Sequence, residues 1–276
     1  MSTPPLACTV RGCADPLSRH AQTWACRRGH VYDIARSGYV NLLQPQDRKS
    51  LQAGDHREAV EARARLIADG VGQTLITAVT DLAAALDVGE RLPVVAELGS
   101  GAGDLLHQLG ARRPVTAVGI DLSTTAADLS ARRFPSLIWV VANADRRLPL
   151  LDRSVHLLIS VHARRNPPEC ARVLVPSGAL IVAVPAPDDL IELRTVTQGT
   201  GVERDRVEVL IAEHAAHFTV VRRTVVREHP RLQGDVLRDL LRATYRGSRR
   251  SAAEHVESLE QLDVTLASDL VLFRKR

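Results

Sequence analysis

Short unbroken apolar blocks alternate with apolar residues at helical spacing through most of this chain. Residues 94–98 are apolar except for Glu97. They run into Gly99-Ser100-Gly101-Ala102-Gly103, and Leu105, Leu106 and Leu109 follow at helical spacing. That pattern is a strand, a tight turn and the start of a helix. A second strand covers 115–121 and ends in Asp121, a helix covers 124–133, and further strands cover 136–141, 155–161 and 179–184. A short helix is predicted at 169–174 and a turn at Pro176-Ser177-Gly178. Upstream, Asp55 is positioned to cap a helix over 56–69 that Gly70 stops. A second helix over 74–86 carries Leu75, Val79, Leu82 and Leu86 on one face. Downstream the pattern gives helices at 188–197, 204–215, 235–245 and 252–261, and strands at 218–227, 263–265 and 270–274. Alternating elements predict an α/β fold with a doubly wound sheet. A closing antiparallel hairpin would bring it to seven strands. No internal repeat or low-complexity tract interrupts the pattern.

The glycine-rich turn is the strongest candidate for chemistry. Glycine allows positive φ and close approach of a ligand. The helix N-terminus beyond it presents free N–H groups and partial positive charge. Asp121, about twenty residues on, can accept hydrogen bonds from a ribose diol. The nicotinamide fingerprint is G-x-G-x-x-G. Here the turn reads Gly99-x-Gly101-x-Gly103 and is preceded by Glu97. E-x-G-x-G-x-G resembles motif I of the class I S-adenosylmethionine-dependent methyltransferases. That resemblance assigns Glu97, Gly99, Ser100, Gly101, Gly103, Asp121 and Leu122 to the cofactor. Asn143 and Ala144, after the third strand, are placed to bond an adenine edge. The competing reading is a strand-turn-helix whose glycines make only the turn.

The first forty residues have a different character. Cys8-x4-Cys13 is followed by Cys26-x3-His30. Three thiolates and an imidazole are a tetrahedral zinc set. A unit of this size buries too little apolar surface to fold alone, so a metal would supply the missing stability. Cys170 stands apart and reads as a partly buried core thiol.

Composition narrows the function. The chain of 276 residues is 45% hydrophobic, enough for a substantial core, and no apolar run approaches the roughly 20 residues of a membrane span. The N-terminus shows no signal-peptide apolar region, so the expected location is cytoplasmic. The net charge is +4 and the pI ≈ 9.2, carried almost entirely by arginine; Lys49 and Lys275 are the only lysines. Arginine suits phosphate recognition, and a polyanionic partner fits that balance. Aromatics are 3%, so base stacking is limited to Trp24, Tyr32, Tyr39, Phe134, Trp139 and Tyr245. The zinc segment holds Arg11, Arg19, Arg27, Arg28 and Arg36 against Asp15 and Asp33, which makes it a candidate nucleic-acid clamp.

Ligands of open α/β sheets bind outside the carboxyl ends of the strands. His162-Ala163-Arg164-Arg165-Asn166-Pro167-Pro168-Glu169 sits at such an end. His162, Asn166 and Glu169 are the candidate catalytic groups, with His162 favoured as a base by its reference pKa near 6.5. Arg164 and Arg165 are candidates for RNA phosphates, together with Arg27, Arg28 and Arg36.

These motifs together resemble the RlmA family of ribosomal RNA guanine-N1 methyltransferases, over essentially the whole chain. The matching segments are Cys13-x2-Pro16-Leu17-Ser18-Arg19, Cys26-x3-His30-x2-Asp33, Ala35-Arg36-x-Gly38-Tyr39-Val40-Asn41-Leu42-Leu43, Gly54-Asp55, Ala62-Arg63, Glu97-Leu98-Gly99-Ser100-Gly101, Asp121-Leu122-Ser123, Leu148-Pro149 and Arg165-Asn166-Pro167-Pro168-Glu169. The last stretch is shared with the branch that protects macrolide producers from tylosin- and mycinamicin-type antibiotics. The resemblance implies a Rossmann-like sheet, zinc on Cys8, Cys13, Cys26 and His30, and S-adenosylmethionine on the glycine turn. Its substrate would be a guanine in a large-subunit rRNA hairpin lining the peptide exit tunnel. It also implies a zinc-binding, RNA-recognising module at 1–40, a helical connector at 41–90, a methyltransferase domain at 91–276 and a homodimer. The chain departs from the family at His162-Ala163-Arg164, where an aromatic-Ala-Pro triplet is usual. Gly70-Val71-Gly72 replaces Gly-His-Tyr, Val60 replaces a methionine, Asn143 stands where an acid is common, and the first cysteine pair is two residues longer. A small-molecule methyltransferase and a catalytically silent RNA binder stay open beside the rRNA enzyme.

Overall fold

The computed structural model describes residues 4–47, 54–87, 89, 92–198, 205–244 and 260–276. The greater part of the helix predicted at 252–261, and Tyr245, lie outside the described residues. The frame is one mixed sheet. Its central strands are β5 (Val94–Leu98), β6 (Thr116–Asp121), β7 (Ile138–Val141), β8 (Val155–Val161) and β9 (Leu174–Pro185). These five are parallel to one another. β13 (Leu266–Lys275) runs antiparallel to β9, and β10 (Phe218–Glu228) antiparallel to β13, giving the predicted closing hairpin. Helices α1 (Arg57–Ala68), α2 (Gln73–Ala85), α3 (Asp104–Arg112), α4 (Thr124–Arg133) and α5 (Pro167–Val173) follow the predicted pattern. So do α6 (Ile191–Gln198), α7 (Val207–His214) and α8 (Gly234–Ala243).

Residues along the central strands alternate between two cores. Val94, Ala96 and Leu98 enter one, with Val118 and Ile120. Val95 and Ala117 enter the other, with Leu105, Leu106 and Leu109 of α3 and Ile76, Val79 and Ala83 of α2. Burial on both faces is why these strands read as continuous apolar runs rather than as alternation.

The sheet has eight strands rather than seven, in the order β10-β13-β9-β8-β5-β6-β7-β4. The eighth, β4 (Val40–Asn41), comes from the cysteine-bearing segment and pairs parallel with β7, Val40 opposite Val140 and Asn41 opposite Val141. That segment otherwise forms a small meander of β1 (Ser18–His20), β2 (Thr23–Ala25) and β3 (Val31–Asp33). Leu6 bridges Leu150, and the Ala7 N–H donates to the Pro149 carbonyl at 3.0 Å. Leu6, Leu17, Trp24 and Tyr32 belong to the same core as Ala96 and Leu158. The N-terminal segment is therefore packed into the main sheet and shares its core.

Three further details differ from the sequence pattern. Asp55 does not cap α1; its carboxylate is taken by Arg63, and His56 occupies the N-cap position without a side-chain bond. The N-terminus of α2 is capped from a distance. Glu228 at the end of β10 accepts from the Gly72 N–H at 2.7 Å and the Thr74 N–H at 3.1 Å. A small two-stranded antiparallel sheet of β11 (Arg231–Gln233) and β12 (Gln261–Asp263) packs against α8, where Leu232, Leu237, Leu240 and Leu241 join Ala62 and Leu66 of α1 in a third core. No helix among the described residues is long and apolar enough to cross a membrane.

Candidate functional site

The meander brings the four predicted metal ligands together. The side-chain donors of Cys8, Cys13, Cys26 and His30 all lie within 4.8 Å of one another. His30 Nδ1 is 3.4 Å from the Sγ atoms of both Cys8 and Cys26, and the Cys13 and Cys26 sulfurs are 3.9 Å apart. Zn–S and Zn–N bonds of about 2.3 and 2.0 Å give tetrahedral edges of about 3.8 Å for S···S and about 3.5 Å for S···N. The observed spacings match, with the imidazole entering through Nδ1. Burial pushes the Cys8 thiol up to about 11 without a metal, so a dication would favour its thiolate here. The Tyr32 hydroxyl lies 3.1 Å from Cys8 Sγ and also takes the Thr9 N–H. It is a second layer that orients and neutralises a ligand.

At the carboxyl end of β5 the chain turns through Gly99-Ser100-Gly101-Ala102-Gly103 into α3. Asp121, ending β6, holds the turn: its carboxylate accepts from the Gly101 N–H at 2.9 Å and the Ser123 N–H at 2.8 Å. A side chain at Gly99 would run into Ala163, and one at Gly103 would meet Trp139 at 2.5 Å. Packing alone requires both glycines. A Cβ on Gly101, at φ +53°, would meet nothing within 4 Å, so this glycine faces open space where a ligand can approach.

Beneath the turn Glu97 is buried, and its Oε2 has no partner among the described residues. Burial, with Asp121 and Asp104 nearby, raises its pKa well above the usual carboxylate range. A buried carboxylate with a free oxygen asks for a cationic donor. The ammonium of S-adenosylmethionine is one, whereas the pyrophosphate of a dinucleotide would add anions. The residues present therefore fit S-adenosylmethionine, which Glu97, Gly99, Ser100, Gly101, Gly103, Asp121, Leu122 and Ala144 would hold. Asn143 has other work: its Nδ2 donates to the Asp47 carbonyl at 2.9 Å and its Oδ1 accepts from the Asp145 N–H at 3.0 Å.

Next to the turn lies an open cavity of ≈ 480 Å³. Its walls are His162 to Arg165 after β8, Val184 and Pro185 at the end of β9, and Val209, Leu210 and Glu213 of α7. His162 adopts φ +50°, which is uncommon for a non-glycine residue, and its Nε2 lies 2.8 Å from the Ser268 hydroxyl. It turns much of its surface to the cavity, yet protein surrounds it. That depth, then the positive Arg63 and Arg206, lowers its pKa to about 4. Its ring is neutral at pH 7. Asn166 opens α5 with Nδ2 3.3 Å from the Asp145 carbonyl.

Glu169, the third catalytic candidate, is engaged away from the cavity. Its carboxylate accepts from the Leu148 N–H at 2.8 Å and from Arg172 at 2.6 and 2.9 Å. It ties α5 to the segment after β7 and does not line the cavity. Ser268, Glu213 and Arg206 do face this region, and no motif marks them in the sequence; only the topology brings β13 and α7 here.

The predicted basic contacts divide. Arg27 and Arg28 flank the metal turn and share Asp15, at 3.0 and 3.3 Å, with side chains 80% and 54% exposed. Arg36 lines a second hollow of ≈ 430 Å³ with Tyr39 and Arg132. Arg164, 80% exposed, pairs with Asp145 at 3.3 Å. Arg165 is half-buried: it donates to the Ala163 carbonyl at 2.9 Å, and its Nε has no partner among the described residues. Most candidate stacking rings are unavailable. Trp24, Tyr32 and Trp139 are core residues, and Phe134 stacks on His107 with centroids 4.2 Å apart. Tyr39 stays half-buried at the second hollow.

Comparison with known proteins places these features together. Residues 7–51 match the RlmA N-terminal zinc-ribbon family model, and residues 95–178 match a methyltransferase domain. Among solved structures, the chain is similar to a YcgJ protein of Bacillus, with a TM-score of 0.51 and 15% identity over 73% of this chain and 97% of that one. A Haloferax volcanii structure of the Trm112 activator with a methyltransferase gives 0.52 and 20%, over 80% and 97%. These likenesses carry the fold. The 23S rRNA (guanine(748)-N(1))-methyltransferase of Streptomyces fradiae is 35% identical over 82% of this chain and 80% of its own length. A 23S rRNA (guanine-N(1)-)-methyltransferase of Micromonospora griseorubida is 36% identical over 69% and 68%. The cysteine-histidine cluster, the glycine turn with its unpaired acid and these relatives agree: the chain is an S-adenosylmethionine-dependent methyltransferase and belongs to the RlmA-type 23S rRNA (guanine-N1) methyltransferase family.

Proposed function

We propose that this enzyme methylates N1 of a guanine in a 23S rRNA hairpin loop near the peptide exit tunnel, and that the methyl group protects the ribosome from a macrolide. The observation that carries this reading is the 35% identity over 82% of the chain to an enzyme named for that reaction. Two structural features support it: a metal cluster whose turn carries exposed arginines, and a cavity beside the cofactor turn. On this reading the segment 1–40 recognises RNA, 41–90 connects, and 91–276 catalyses.

When bound, S-adenosylmethionine supplies a methyl group on a sulfonium, which N1 attacks in line while the S–C bond breaks. The chain's own work is positioning and exclusion of water. The cavity's apolar wall, Val184, Pro185, Val209 and Leu210, suits a base turned out of its loop. His162, neutral and fixed by Ser268, offers the base a hydrogen bond. The N1 proton becomes acidic as the new N–C bond forms and leaves to solvent in the open cavity beside His162. On this reading Arg164 and Arg165 contact flanking phosphates.

The test is label transfer from S-adenosyl-[methyl-3H]methionine to three acceptors: large-subunit rRNA, small-subunit rRNA, and macrolide precursors. Incorporation into large-subunit rRNA alone is expected. Labelling of the macrolide precursors would make this a small-molecule enzyme, and no transfer despite bound cofactor would make it a silent binder.

A further inference from the structure

Two short motifs in the connector, Gly54-Asp55 and Ala62-Arg63, have no part in the site so far, yet the fold sets both against it. A side chain on Gly54 would meet the Ser123 backbone at 2.6–2.8 Å. The Ser123 hydroxyl donates to the Asp55 carbonyl at 2.8 Å, and the Ser123 N–H donates to Asp121, which also holds Gly101. The start of the connector is thus tied by consecutive hydrogen bonds to the cofactor turn. Arg63, less than two turns into α1, donates Nη1 to the Asp55 carboxylate and Nε to the Ala243 carbonyl at 3.0 Å. These two bonds leave its Nη2 without a protein acceptor among the described residues, and the side chain is 40% exposed. The guanidinium lies close enough to both walls of the cleft to act on each: burial raises the pKa of Asp121 and Arg63 only partly offsets this, while Arg63 adds to the burial that lowers the pKa of His162.

S-adenosylmethionine carries two charges on its amino-acid end. The ammonium suits the free oxygen of Glu97, and the carboxylate needs a cation. We propose that Arg63, fixed by Asp55 and the Ala243 carbonyl, receives the α-carboxylate of the cofactor. A fork already pinned on two sides loses little freedom on binding, so it acts as a pre-organised anchor. Asp55 is then a positioning residue, which explains why the chain gives this carboxylate to Arg63 rather than to the helix N-terminus.

Calorimetry on the full chain, without RNA, tests this by comparing ligands that carry or lack the carboxylate. The wild type should bind S-adenosylmethionine at least about tenfold more tightly than its decarboxylated form. Arg63→Gln should weaken S-adenosylmethionine and S-adenosylhomocysteine by about 10- to 100-fold while leaving 5′-methylthioadenosine, which has no amino-acid end, within about twofold. Arg63→Lys should recover part of the loss. Equal wild-type affinity for the two S-adenosylmethionine forms would overturn the proposal. Equal weakening of all ligands by Arg63→Gln would also overturn it, because that is the signature of a purely structural arginine. No arm involves the methyl acceptor, so an error in the rRNA assignment leaves this result standing.

Discussion

Glu97 lies under the glycine turn with one oxygen unbonded, its pKa raised well above the usual carboxylate range by burial and by two neighbouring acids. For the protein without cofactor the sign follows from linkage. The folded state binds the Glu97 proton more tightly than the unfolded chain, whose reference pKa is about 4.3. This stabilisation is complete below that value and is lost as pH rises toward the folded pKa. The ligand-free Tm should therefore decline above the ordinary carboxylate range, and Glu97→Gln should flatten that decline in a pH series of thermal melts. A decline that is unchanged in the variant would contradict the burial argument. The residue types at this site were legible in the sequence because their chemistry is local: a glycine turn needs glycine whatever surrounds it. The partners of Glu169 and Asn143, Arg172 and the Asp47 carbonyl, could not be read in the sequence because tertiary packing sets them. A carboxylate at the right end of the sheet is a catalytic candidate only until an arginine takes it.

At the scale of elements, the long strands and helices followed the pattern because burial on both faces, or on one, leaves a clear period. Two connections did not. The two-residue strand β4 is too short to show periodicity, and it exists because β7 offers an open edge. The cap on α2 comes from Glu228, which is far away in sequence. Glu228→Ala leaves two N–H groups of that helix end uncapped and should cost about 1 kcal/mol in urea unfolding, with cofactor affinity unchanged. The metal turn has a larger reach. Its segment supplies β4 and shares the core with the main sheet, so losing the ion should loosen more than one loop. The protein should hold one zinc per chain by elemental analysis. Chelation should lower Tm by at least about 5 °C and reduce amide-exchange protection at Val141, whose backbone faces β4. Protection lost only in residues 8–30 would mean that the module is independent of the sheet.

For the whole molecule, charge and architecture serve one task. The net charge of +4 is modest, but it is borne by arginine, and the exposed forks of Arg27 and Arg28 stand beside the metal. If both meet RNA phosphates, Arg27→Glu with Arg28→Glu should weaken rRNA binding and reduce the log–log salt slope by about 1.5. An unchanged slope would place the RNA elsewhere. The central claim is the identity of the methylated atom. It is tested most directly by treating large-subunit rRNA from a strain lacking this protein with the enzyme and S-adenosylmethionine, then mapping the product by reverse-transcription stop and mass spectrometry. Methylation at N1 blocks the pairing edge of guanine, so the account predicts a strong stop at one guanine of the exit-tunnel hairpin and a fragment heavier by one methyl group. A methylated fragment without a stop, or a stop at any base outside that hairpin, would contradict it.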